Sequence, residues 1–75
     1  LQLGEGAALL VVESAAHARA RGVALLLEVA GSGLSGDASH MTAPARDGAG
    51  AARAMRAALA DAGAAPSEVD FVSAH

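Results

Sequence analysis

Val69-Asp70-Phe71-Val72-Ser73-Ala74-His75 is the stretch on which the fold turns. It is short, apolar, rich in β-branched and aromatic residues, and closed by a polar one. That pattern predicts a β-strand. An imidazole then stands where a buried strand runs out, at the edge of a cleft. In layered α/β folds, ligands and chemistry collect at such strand ends. The upstream residues are accordingly expected to support this end.

Those residues alternate between two kinds of element. Gly4-Glu5-Gly6 leads into Ala7-Ala8-Leu9-Leu10-Val11-Val12, an apolar run without alternation, as expected of a strand covered on both faces. Ser14 is the candidate N-cap of a short helix, Ala15 to Arg21, with Arg19 and Arg21 complementing the dipole of its last turn. Gly22 follows as the terminating residue. Val23 to Ala30 reads as a second apolar strand, although its Leu run leans towards helix by propensity. Residues 31–50 form a long glycine-bearing loop. Asp47 is expected to cap the next helix, roughly Ala49 to Ala62, which Gly63 closes and Pro66 keeps from continuing. On it, Ala52, Met55, Leu59 and Ala62 share an apolar face, and Arg53, Ala57 and Asp61 point away. The order strand, helix, strand, loop, helix, strand predicts a layered α/β fold.

Composition limits what such a chain can do alone. It has 75 residues, no Cys, Trp or Tyr, and one Phe, yet 53% are hydrophobic. Mean hydropathy is +0.40, too apolar for a disordered tail. Small side chains bury little area each, and domains of this size depend on dense cores or cross-links. The composition therefore predicts part of a larger structure. Five basic residues, all Arg and scattered, with a net charge of −3, argue against nucleic acid. No apolar run approaches the ~18 residues of a membrane helix. The opening Leu1-Gln2-Leu3-Gly4-Glu5 lacks the basic region of a signal peptide, and the absence of Cys fits a reducing cytoplasm.

Two motif readings fail on context. Gly31-Ser32-Gly33-Leu34-Ser35-Gly36 spells G-x-G-x-x-G after a predicted strand. A dinucleotide site needs a helix to start at those glycines and an acid about 20 residues on. Here a loop follows, and the segment near position 51 is Ala-Ala-Arg. The glycines are better read as allowing a sharp bend or a close backbone approach. Asp37 and His40, with His75 converging, could supply three metal ligands. Asp-x-x-His on a loop is common by chance, and no metal is expected. His17 reads as a solvated helix residue.

The strand-end His75, facing the loop with His40, Met41 and Thr42, remains. Gly4-Glu5-Gly6-Ala7, the loop Asp37 to Pro44, the helix Ala51 to Gly63 and Val69 to His75 occur in this order in β-ketoacyl-acyl carrier protein synthases. The chain resembles an internal piece of such a ketosynthase, of the elongating fatty-acid and type II polyketide type. The resemblance covers all 75 residues, and the Ala-His ending with His-Met-Thr-Ala-Pro is its specific part.

The resemblance implies a thiolase-like fold of two similar α/β halves, usually dimeric. Residues 1–75 would span the end of the N-terminal half and the start of the C-terminal half. It implies decarboxylative Claisen condensation of an acyl thioester with malonyl-acyl carrier protein, without a cofactor beyond the carrier's phosphopantetheine arm. Acyl carrier protein and a second ketosynthase or ketosynthase-like subunit are the implied partners. His75 takes the role of a catalytic donor to the thioester oxygen. Thr42 falls near the pantetheine arm, Met41 would line the acyl or pantetheine channel, and His40 would fix its own loop. There are departures: no nucleophilic Cys lies in the chain, the sequence stops at His75, and Ser39 stands where the family often has Tyr. The 75 residues alone are not expected to be active. A non-catalytic ketosynthase-like chain-length partner is the alternative, though such partners tend to lose this His. An independent Ala-rich interaction domain is a more distant one.

Overall fold

A computed structural model describes residues 2–74. Ser14 begins the first helix, α1 (Ala15–Ala20), with an extended backbone and an Oγ that accepts from His17 N–H at 3.1 Å. Gly22 follows at φ 72°, and its N–H reaches the Arg19 carbonyl at 3.0 Å. Only glycine takes this left-handed turn without strain. A six-residue helix is marginal by itself. Outside it, Glu13 is gripped by Arg21 through Nε at 3.1 Å and Nη2 at 2.7 Å. His17 Nε2 lies 3.6 Å from the same carboxylate, on the exposed side of the helix.

The second helix, α2 (Ala49–Ala62), has the predicted limits, but its N-cap is Gly48 at φ 68°, not Asp47. Asp47 acts one residue earlier, with Oδ1 accepting from Ala49 N–H at 3.0 Å. Gly63, at φ 66°, ends α2 and donates to the Ala60 carbonyl, while Ala64 donates to Leu59. Pro66–Glu68 form a 3₁₀ turn, and Glu68 reaches back to Ala65 N–H at 2.9 Å.

The three predicted strands do not form here: among the described residues there is no β-strand. A strand is made by its neighbour's N–H and C=O groups, and an isolated pair is marginal in water. Residues 7–12, 23–30 and 69–74 find no such ladder within these residues. Their side chains stand open: Leu9 and Val11, and Leu10 on the opposite parity, are all at least 90% exposed. Both faces of the first run are therefore uncovered, the environment in which a two-sided buried strand loses its reason to form. Leu10, Val12, Ala18, Val23, Leu25 and Leu27 do line one apolar cleft of about 680 Å³. Ala18 is the one buried hydrophobic side chain among the described residues.

The dimensions agree with this openness. The radius of gyration is 16.6 Å, against about 11 Å for a compact domain of this length. The exposed surface is 7219 Å², where a compact protein of this mass exposes about 4,100 Å².

What holds α2 is the glycine-bearing segment. A Cβ on Gly31 would meet the Ala58 carbonyl and Ala62 nitrogen, both at 2.6 Å. One on Gly33 would meet Ala54 and Ala58 backbone atoms. Two residues of extended chain rise about 6.6 Å and four helical residues about 6 Å, so glycines two residues apart meet alanines four residues apart. The segment runs antiparallel to α2, with Ser32 N–H on Asp61 Oδ2 at 3.0 Å and Arg53 Nη2 on the Gly36 carbonyl at 2.9 Å. The close-approach reading of the glycines is the one the structure supports. The predicted helix face is met in part: Ala62 meets Gly31 and Ala52 and Leu59 are half-buried, whereas Met55 is 54% exposed and Arg53 and Asp61, expected to lie away, bond to the glycine segment.

Candidate functional site

The loop between the glycine segment and α2 carries His40, Met41 and Thr42, and its two ends are tied together. Asp37 Oδ2 accepts from Ala45 N–H at 2.7 Å, while its other oxygen lies over Gly50 Cα, where any Cβ would collide with it. Ser35 Oγ donates to the Gly50 carbonyl beside it. Ala38 takes a positive φ of 52°, unusual for a residue with a side chain, directly after the tie. By its residue type and spacing Asp37 suggests only a metal ligand. Its role as a brace had one sequence signal, an Asp followed by a short loop and a small residue at a helix start.

Inside the loop, His40 Nδ1 accepts from Thr42 N–H at 3.1 Å, and Thr42 Oγ1 lies 3.3 Å from the same nitrogen. A nitrogen accepting from a backbone N–H carries no proton, so the neutral ring holds its proton on Nε2. His40 thereby holds Thr42 within its own loop. Ser39, His40, Ala43, Pro44, Ala45, Arg46 and Asp47 surround an open cavity of about 620 Å³. Met41 is 96% exposed and does not line it. The structure thus joins His40 to Thr42 and leaves Met41 apart. His75 lies outside the described residues. No three His, Asp or Glu side chains among the described residues are grouped to hold a metal ion.

The cavity loop and α2 fall within residues 26–75, which match the family described as Beta-ketoacyl synthase, C-terminal domain. The chain belongs to the β-ketoacyl synthase family. Membership implies a thiolase-like fold. Over 73 residues, 97% of the chain, it is 52% identical to 3-oxoacyl-[acyl-carrier-protein] synthase 2 of Rhizobium meliloti (strain 1021). It is 51% identical over the same length to the proteins of that name from Vibrio cholerae and Staphylococcus aureus. The chain spans 17–18% of the length of these relatives. No helix among the described residues is long and apolar enough to cross a membrane.

Proposed function

We propose that this β-ketoacyl synthase chain is part of a condensing enzyme that joins an acyl thioester to malonyl-acyl carrier protein in fatty-acid or polyketide synthesis. Identity of 52% to a 3-oxoacyl-[acyl-carrier-protein] synthase, running through the His-Met-Thr loop, is the observation that carries the reading. In the complete protein, residues 7–12, 23–30 and 69–73 become strands of a covered sheet, since they are predominantly apolar, the first run on both parities throughout. The chain lies across the junction of the two thiolase-like halves, and the protein works in the cytoplasm as a dimer.

In this reading, the acyl chain is carried on a Cys thiolate supplied from outside these residues. Malonyl thioester loses CO₂, and the electron pair of the broken C–C bond passes to an enolate whose oxygen gains charge. His75 donates a hydrogen bond to that oxygen; the carbanion then attacks the acyl carbonyl and the thiolate leaves. Preorganised donors of this kind change rates by about 10²–10³-fold. Thr42 holds the pantetheine arm, His40 holds Thr42, and Met41 meets the arm or acyl chain when the loop's apolar surroundings are complete.

The test is a condensation assay with the complete synthase, acyl-carrier protein and malonyl-carrier protein. Formation of the 3-oxoacyl product with one CO₂ released per condensation is expected. A protein that loads no acyl group and forms no product would instead be the non-catalytic partner.

A further inference from the structure

The sequence holds no Asn and one Asp followed by Gly, Asp47-Gly48, which stands exposed between the cavity loop and α2. Glycine leaves its own nitrogen uncrowded. Beyond its chain neighbours, no atom of the described residues lies within 4 Å of where a Gly48 Cβ would stand. The Asp47 side chain is curled forward: Oδ1 accepts from Ala49 N–H at 3.0 Å, two residues on, which carries Cγ towards the Gly48 amide. The other aspartates are placed differently. Asp37 commits its carboxylate to Ala45 N–H and to the space over Gly50. Asp61 sits inside α2 with its carboxylate on Ser32 N–H, and Asp70 is followed by the bulky Phe71.

We propose that Asp47-Gly48 is a modification site at which the chain isomerises to isoaspartate, and that Asp37 sets the rate. The Gly48 nitrogen attacks Cγ of the protonated Asp47 carboxyl and gives up its proton. The carboxyl hydroxyl departs as water, and a succinimide ring closes. Negative charge that builds on the remaining oxygen during the attack meets the Ala49 N–H already bound to Oδ1. Water then opens the ring. Cleavage at the Asp47 main-chain carbonyl routes the backbone through Cβ and Cγ, whereas cleavage at Cγ restores aspartate. The restraint is on the nitrogen: Gly48 N–H donates to the Ala45 carbonyl at 3.1 Å. Ala45 is in turn held at its own N–H by Asp37 Oδ2 at 2.7 Å. The Asp37 tie keeps the reacting nitrogen bound, and its loss sets that nitrogen free. Isoaspartate puts an extra main-chain carbon between the loop of His40 and Thr42 and the start of α2, and takes the Asp47 side-chain oxygen off Ala49 N–H.

The experiment ages the complete synthase at neutral pH in heavy-oxygen water and maps its peptides by mass spectrometry. Each ring opening adds one solvent oxygen, so the label marks the site even where aspartate re-forms, and chromatography resolves the isoaspartyl peptide. Label should accumulate at Asp47 and stay at background at Asp37, Asp61 and Asp70. Asp37→Ala should label Asp47 about three- to tenfold faster, the worth of one hydrogen bond. Gly48→Ala sets a methyl group beside the attacking nitrogen and should label several-fold more slowly than wild type; it decides the matter if Asp37→Ala does not fold. No label at Asp47 in the wild type, equal labelling at every aspartate, or unchanged labelling in Gly48→Ala would overturn the site. Equal rates in wild type and folded Asp37→Ala would overturn the control by Asp37. Labelling requires no turnover, so the result is independent of the condensation reading.

Discussion

Asp37 rests one carboxylate oxygen on the Cα of Gly50 and gives the other to Ala45 N–H at 2.7 Å. Glycine at position 50 is required by contact, since no Cβ fits there. Gly50→Ala should push the Asp37 carboxylate off, break the tie to Ala45 and loosen the loop that holds His40 and Thr42. The expected loss is about 1–2 kcal/mol in the complete synthase. Asp37→Ala should cost a similar amount, and the double variant little more than either alone. Urea melts of the four proteins measure this, and additive losses would mean that the two residues do not share one arrangement.

How far the sequence carries is visible in α2. Its limits follow from local signals, because Gly63 and Pro66 act within one turn and the observed helix is Ala49–Ala62 as predicted. The packed face was not legible. An apolar stripe names the face that meets bulky neighbours, and on it Leu59 is half-buried while Met55 stays 54% exposed. The contact that forms is between glycines and alanines, which contribute no contrast to a hydrophobic pattern. Strands were legible as composition but not as structure, since Leu9 to Val12 need partners that are distant in sequence. The braces of the candidate loop, Asp37 and Gly50, are thirteen residues apart, and nothing periodic links them.

The glycine register on α2 separates two substitutions that look alike on paper. Gly33→Ala sets a methyl group against backbone atoms of Ala54 and Ala58, which cannot turn aside. It should cost about 3 kcal/mol in the complete synthase. Gly36 has open space around its Cα and no positive φ, so Gly36→Ala should be neutral or slightly stabilising, by up to about 1 kcal/mol through the unfolded chain. Thermal melts of the two variants should diverge, and similar melting curves would remove the close approach.

Met55 tests what covers the rest of α2. In the isolated 75-residue chain it is half exposed, and Met55→Asp should leave the circular dichroism unchanged. In the complete synthase the same change places an unpaired charge in a buried contact and should cost about 3 kcal/mol or more. Equal tolerance in both would show that this face meets water in the full protein as well.

Thr42→Val keeps the side chain's shape and the N–H that His40 Nδ1 accepts, but removes Oγ1. KM for malonyl-carrier protein should rise several-fold with kcat nearly unchanged, the signature of a contact made equally in ground and transition states. His40→Ala removes the acceptor that orders Thr42 and should raise KM at least as much. Steady-state kinetics at saturating acyl donor distinguishes these outcomes, and a fall in kcat at constant KM for Thr42→Val would take the hydroxyl out of substrate binding.

His75 carries the sharpest chemical claim. An N–H donor aimed at the oxygen that becomes negative as CO₂ leaves acts on decarboxylation and condensation, but not on prior transfer of the acyl chain to the thiolate. His75→Ala in the complete synthase should therefore load acyl groups at a near-normal rate while condensation falls by about 10²–10³-fold. Radiolabelled acyl transfer reads the first step, and CO₂ release with 3-oxoacyl product reads the second. His75→Gln, which retains an N–H donor, should recover part of the decarboxylation. Equal loss of both steps would mean that His75 serves the thiolate or the fold and not the developing enolate.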